Sequence, residues 1–117
     1  MQTREQIYAT GVYELVSRVS AANKEKYGSM AHKLPMLIRS AGLVQALVFA
    51  ATRESEQRQL LTDLSTVLGF PDEHALLNAA RTAGLSEYML LTEHALSALL
   101  WFKRYAQSVL EVAAAEV

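Results

Sequence analysis

Ser86–Ala114 reads SEYMLLTEHALSALLWFKRYAQSVLEVAA, and the spacing of its apolar side chains decides the fold. Tyr88, Leu91, Ala95, Leu99, Phe102, Ala106, Val109 and Ala113 recur three and four residues apart. At 3.6 residues per turn they form one face of a helix of about seven turns. Ser86 stands where an N-cap hydroxyl accepts from the first free backbone N–H groups. So long an apolar face needs several other helices packed along it.

Those helices are readable upstream. Pro71-Asp72 opens one that is carried by Leu76, Leu77, Ala80 and Ala83 and closed by Gly84. Ser55 caps another, with Leu60, Leu61, Leu64, Val67 and Leu68 on its face and Gly69 fitting the left-handed position beyond its end. The run Leu43–Phe49 continues through Ala50 and Ala51 without a turn signal, so it reads as a mostly buried helix rather than a strand. Lys24–Ser40 is helical in spacing but contains Pro35. The missing N–H and the ring clash predict a break near Lys33 and Leu34, with Pro35 opening a fresh turn. Thr3 and Gln6 have the form of a capping box ahead of Ile7, Tyr8, Val12, Leu15, Val16 and Val19. They predict a helix from Thr3 to about Ala22, with Asn23 as a stop or the next cap. The expected fold is all-α: a single compact domain over 1–117, a bundle of five to seven helices with a long C-terminal helix.

Composition bounds the function. Of 117 residues 51% are hydrophobic and 20% charged, too apolar for a disordered chain. No apolar run approaches the ~20 residues of a membrane span, and Met1–Glu5 lacks the basic-then-apolar pattern of a secretory signal. With no cysteine there is no disulfide, thiolate nucleophile or cysteine metal site, which fits a reducing cytoplasm.

Recognisable catalytic chemistry is missing from the sequence. His32, His74 and His94 fall in different helices, and none has a ligand-type partner four residues away. Asp72, Glu73 and His74 are consecutive and splay around a helix, where an acidic first turn is explained by the helix dipole. No nucleophile elbow, phosphate-binding glycine loop or dinucleotide fingerprint occurs. We therefore expect no catalytic residues, no metal and no cofactor, an enzyme assembled from several helices being the unsupported alternative. Leu64–Asp72 and the helix after it imitate a DNA-reading helix-turn-helix. That helix begins Asp72-Glu73-His74 and carries only Arg81 as a base, so it would repel phosphate; the turn is helix punctuation.

Net charge is −1, but the charges are unevenly distributed. Arg18, Lys24, Lys26, Lys33, Arg39, Arg53 and Arg58 face only Glu25, Glu54 and Glu56 over the same span. Between Gln59 and Leu100, Arg81 stands against Asp63, Asp72, Glu73, Glu87 and Glu93. Such a chain can present one basic and one acidic region, although solvated helix faces account for the same pattern. Within Lys24–Phe49 the small residues Gly28, Ser29 and Ala31 would let a backbone or a sugar-phosphate strand approach, with cations at the rim reaching phosphates.

Two further features carry a family resemblance. Lys26–Ile38 reads KYGSMAHKLPMLI, followed by Gly42-Leu43, Gln45-Ala46-Leu47 and Phe49; Trp101–Ala106 reads WFKRYA. In this order and spacing the chain resembles the small helical subunit of the type III-B (Cmr) CRISPR RNA-silencing complex. It departs at Ala41, where the family pattern suggests Asn. The resemblance implies a subunit that cuts nothing and serves antiviral defence in the cytoplasm. It also implies partners: neighbouring copies of itself, the backbone and large subunits of the effector complex, and the guide RNA and target RNA, with no membrane. On this reading Lys24, Lys26, Lys33 and Arg39 are the leading RNA-facing candidates, with Arg18, Lys103 and Arg104 as second choices. Lys103 and Arg104 follow Trp101-Phe102, so at least one of them lies near the core edge. Tyr27 is a packing or stacking aromatic, and the acidic region around Asp72, Glu73 and Glu87 is a candidate contact for a basic neighbour. Two alternatives stay open: a protein–protein adaptor without RNA contact, and the equivalent small subunit of a type III-A complex.

Overall fold

A computed structural model describes residues 1–114. The capping box at Thr3 forms, with Gln6 N–H donating to Thr3 Oγ1 at 3.1 Å and Thr3 N–H to Gln6 Oε1 at 2.8 Å. It opens α1 (Arg4–Ser17), whose Tyr8, Val12 and Val16 are buried while Ile7 faces solvent. The helix ends at Ser17 rather than near Ala22. Arg18 and Val19 donate to Leu15 and Val16, three residues back, and this tightened turn stops the α-helical ladder.

α2 (Lys24–Ala41) runs without interruption through Pro35, against the expected break. Met30, Ala31, Leu34, Pro35 and Ile38 are all buried, and α2 packs against α3 (Leu43–Ala51), α4 (Ser55–Val67) and α6 (Leu85–Ser108). Burying side chains of this kind contributes about 1.5–3 kcal/mol each, which outweighs the ~3 kcal/mol of one interior proline. Gly42 alone joins α2 to α3, at φ +92°, and offers no side-chain cap. Tyr88 of α6 fills that role: Val44 N–H donates to its hydroxyl at 3.2 Å.

Glu54, not Ser55, occupies the cap position of α4, with extended backbone; Ser55 is the first helical residue. The helix closes as expected, with Gly69 at φ +88° and Phe70 N–H donating to Ser65 O at 2.9 Å. Asp72 then caps α5 (Glu73–Thr82), its Oδ1 accepting from Ala75 N–H at 2.8 Å. α6 starts two places earlier than a Ser86 cap implies, with Gly84 as its cap in an extended conformation of negative φ. All six helices contribute to one buried apolar cluster that includes Val12, Leu34, Leu47, Leu60, Leu76 and Leu99.

α6 stops at Ser108, well before Ala114. Glu111 adopts φ +60°, and Val112 N–H donates back to Ala106 O at 2.8 Å. This turn buries Leu110 and Val112 while leaving Glu111 exposed. Val112 settles on α2 so closely that a Cβ at Gly28 would lie 2.7 Å from its Cβ. His32 Nε2 is 2.8 Å from Val112 O and completes the attachment. The close approach anticipated at Gly28 is therefore made by the chain's own C-terminal residues, not by a foreign strand.

Candidate functional site

The four leading cations all lie on α2, but not on one stripe. At 100° per residue Lys26 and Lys33 fall within about 20° of each other, whereas Lys24 and Arg39 lie more than ~110° round the helix from both. Lys33, Arg39 and Lys26 are exposed and Lys24 is half-buried. Lys26 forms an ion pair with Glu54 in which both side chains remain open to water.

Around Lys33 the structure adds two residues from the next helix and its exit. Phe49 of α3 is half-buried, with the Lys33 ammonium 5.7 Å from its ring centroid. The Arg53 guanidinium lies 4.3 Å from the same centroid. One aromatic ring thus gathers two cations from separate elements, and Glu54, the partner of Lys26, follows Arg53 directly in the chain. Arg53 belongs to the basic run in the sequence, but nothing there shows that it shares a ring with a lysine twenty positions earlier. Arg58 is committed elsewhere, to a nearly buried Glu73. That bond corrects the acidic-surface expectation at Glu73, whose carboxylate is turned inward and already paired. Lys103 is half-buried and Arg104 exposed on α6, in keeping with their place beside Trp101-Phe102.

Tyr27 is 1% exposed, so it packs and cannot stack on a nucleobase. Its hydroxyl donates to Asp63 Oδ2 at 2.6 Å, and Gln59 Nε2 donates to Asp63 Oδ1 at 2.9 Å. Burial and the neighbouring Asp63 charge push the Tyr27 hydroxyl above the usual tyrosine range. Above these groups opens a cleft of about 430 Å³ between the end of α1, the 18–23 turn, and the first turns of α2 and α4. Arg18 stands on its wall, exposed and outside both ion pairs of the described residues. Among those residues no group of three or more His, Asp or Glu side chains could hold a metal ion. Among the described residues no helix is long and apolar enough to cross a membrane.

Residues 4–109 match the model of a family described as CRISPR-associated protein (Cas_Cmr5). The chain belongs to the Cmr5 family. It is 44% identical over 113 residues to the CRISPR system Cmr subunit Cmr5 of Thermus thermophilus, covering 95% of this chain and 99% of the relative. The crystal structure of a CRISPR-associated Cmr5 family protein from the same organism is similar throughout, with a TM-score of 0.89 and 44% identity. That similarity covers 92% of this chain and 97% of the other. The resemblance carried by Lys26–Phe49 and Trp101–Ala106 is borne out. The Cmr5 match spans every candidate cation, from Arg18 to Arg104, and stops short of Leu110 and Val112.

Proposed function

We propose that the chain acts, as one helical domain over residues 1–117, as the non-catalytic small subunit of a cytoplasmic type III-B antiviral effector complex. In that role it lines the channel holding guide and target RNA. The observation that carries this reading is the convergence of Lys33 and Arg53 on Phe49, with Lys26 on the same stripe of α2. Two cations held by one ring are preorganised for a polyanion, and neither forms an ion pair with a carboxylate among the described residues. Base pairing between guide and target supplies sequence discrimination, so phosphate contacts and shape suffice here. Lys24, Arg39, Arg18, Lys103 and Arg104 extend the same chemistry over other faces.

Assembly has support of a different kind. Leu85, Met89 and Leu90 are 77%, 60% and 51% exposed at the start of α6, an apolar strip suited to a neighbouring subunit. The RNA reading is tested in the assembled complex with Lys33→Glu/Arg53→Glu, set beside Lys24→Glu/Arg39→Glu from the other face. The first pair is expected to weaken target RNA binding and to flatten its salt dependence. The log–log slope should fall by roughly 0.7 to 0.9 for each phosphate no longer neutralised. Affinity and slope equal to those of the parent complex would leave only the adaptor reading.

A further inference from the structure

A second cleft, of about 280 Å³, opens between the first turns of α1 and the middle of α6, and shares no residue with the Phe49 cluster. Trp101 and Leu100 give it an apolar wall, Tyr8 and Ser97 supply hydroxyls, and Arg4 and Glu5 complete the lining. Tyr8 is 8% exposed, yet no group of the described residues bonds its hydroxyl. A polar group so nearly buried and still without a partner is open to a ligand. Burial holds that hydroxyl above the usual tyrosine range, and the charge of Arg4 offsets part of the rise. Behind the wall the aromatic packing continues. Tyr105, which does not line the cleft, has its ring centroid 5.7 Å from that of Trp101, and Tyr13 meets Tyr105 edge-on at 5.4 Å. The indole is therefore fixed in place before any ligand arrives. Arg4 and Glu5 are exposed and join neither ion pair of the described residues. A guanidinium and a carboxylate side by side favour neither a bare anion nor a bare cation. They suit a ligand that carries an anionic group together with N–H donors.

We propose that this cleft takes one unpaired nucleotide of RNA, its base stacked on Trp101, its phosphate at Arg4 and its base edge at Tyr8 and Glu5. Stacking on an aromatic side chain is open to every base, because each has a π-face. The volume is close to the ~300 Å³ of the smallest ligand pockets, enough for a single nucleotide. The proposal rests on the RNA reading and adds to it a base contact on a different face, where Lys33 and Arg53 need only phosphate.

Trp101 is the only tryptophan of the chain, so its fluorescence reports on this cleft directly. The test titrates the full chain with guanosine 5′-monophosphate, with free N-acetyltryptophan amide correcting for collisional and absorptive quenching. Saturable quenching is expected in the millimolar range of so small a ligand. Ribose 5-phosphate, which keeps the phosphate and lacks the base, should give none. Tyr8→Phe is expected to weaken binding about fivefold and Arg4→Gln about threefold. Neither variant threatens the fold: the first removes a hydroxyl that bonds nothing, and the second lies in solvent. Lys33→Glu/Arg53→Glu should titrate like the parent, so failure here and failure of the channel reading are told apart. The proposal is overturned by absence of saturable quenching, which would leave the cleft to a protein contact, or by ribose 5-phosphate quenching equally. It is also overturned by a Tyr8→Phe or Arg4→Gln chain that titrates like the parent, or by loss of quenching in Lys33→Glu/Arg53→Glu.

Discussion

Lys26 and Tyr27 are adjacent in sequence, and each crosses from α2 to a carboxylate at or near α4, yet the two contacts differ in kind. Lys26 meets Glu54 in open solvent, with side chains 51% and 64% exposed. Tyr27 meets Asp63 where both are almost fully buried. The hydrogen bond from Lys26, and then its charge, hold the Glu54 carboxyl below the usual carboxylate range. Burial drives Asp63 the other way. Water competes for the first pair, so it can be exchanged for another anion at little cost. The second is shut away from water and fixes how α2 sits on α4. One turn of helix therefore supplies a rigid anchor and, next to it, a cation free to change partners.

The largest effect expected from this contrast is on stability. Tyr27→Phe keeps the ring and removes the donor, leaving Asp63 Oδ2 buried without its partner. The expected loss is about 1–3 kcal/mol in urea unfolding. Lys26→Gln should lower the unfolding midpoint only slightly, because water solvates both ends of the broken pair. Equal effects from the two variants would erase the distinction between anchor and exchangeable contact.

A smaller effect is expected in the pH dependence, where the two carboxylates act with opposite sign. The folded chain holds the Asp63 proton more tightly than the unfolded chain does. Stability from this group is highest below the unfolded carboxylate pKa and falls as pH rises through the window up to the raised folded value. Glu54 is the reverse: its contribution is present above the unfolded pKa and is lost as pH falls through the depressed folded value. Asp63→Asn should therefore remove the decline on the alkaline side of the carboxylate range and leave the acid-side loss in place. Urea midpoints followed across that range check this, and a persistent alkaline decline would assign it to another group.

Local signals made most of the helices legible in the sequence. Thr3 with Gln6, Gly69 and Asp72 all act within four residues of themselves, and each does what its chemistry predicts. Some of the misplaced boundaries are local, as at the end of α1, but the two largest departures are those where distant packing decides. Pro35 stays inside α2 because three helices bury its neighbourhood. α6 stops at Ser108 because Leu110 and Val112 find burial on α2, some eighty residues away in the chain. The candidate site divides in the same way. Its cations could be counted from the sequence, and the family resemblance that drew attention to their stretch of chain is borne out as a resemblance. Their pairing could not, since Lys26 finds Glu54 twenty-eight positions on, and Phe49 joins Lys33 to Arg53 only once α3 has packed on α2. Asp63, outside every motif, is given away by no local pattern.

The smallest expected effect bears on how far the exposed pair takes part in function. If Lys26 can trade Glu54 for a phosphate, Glu54 is a standing competitor and its like charge opposes RNA approach. Glu54→Gln then frees Lys26 without altering the core, since both side chains are solvated. Target RNA binding by the assembled complex should tighten modestly, and its salt dependence should steepen by up to ~0.7–0.9 in log–log slope, the increment of a single phosphate contact. Lys26→Gln in the same complex should cancel that gain. An unchanged slope in Glu54→Gln would confine Lys26 to tying α2 to the start of α4. The phosphate contacts would then fall to Lys33 and Arg53, which both approach the ring of Phe49 and join no ion pair among the described residues.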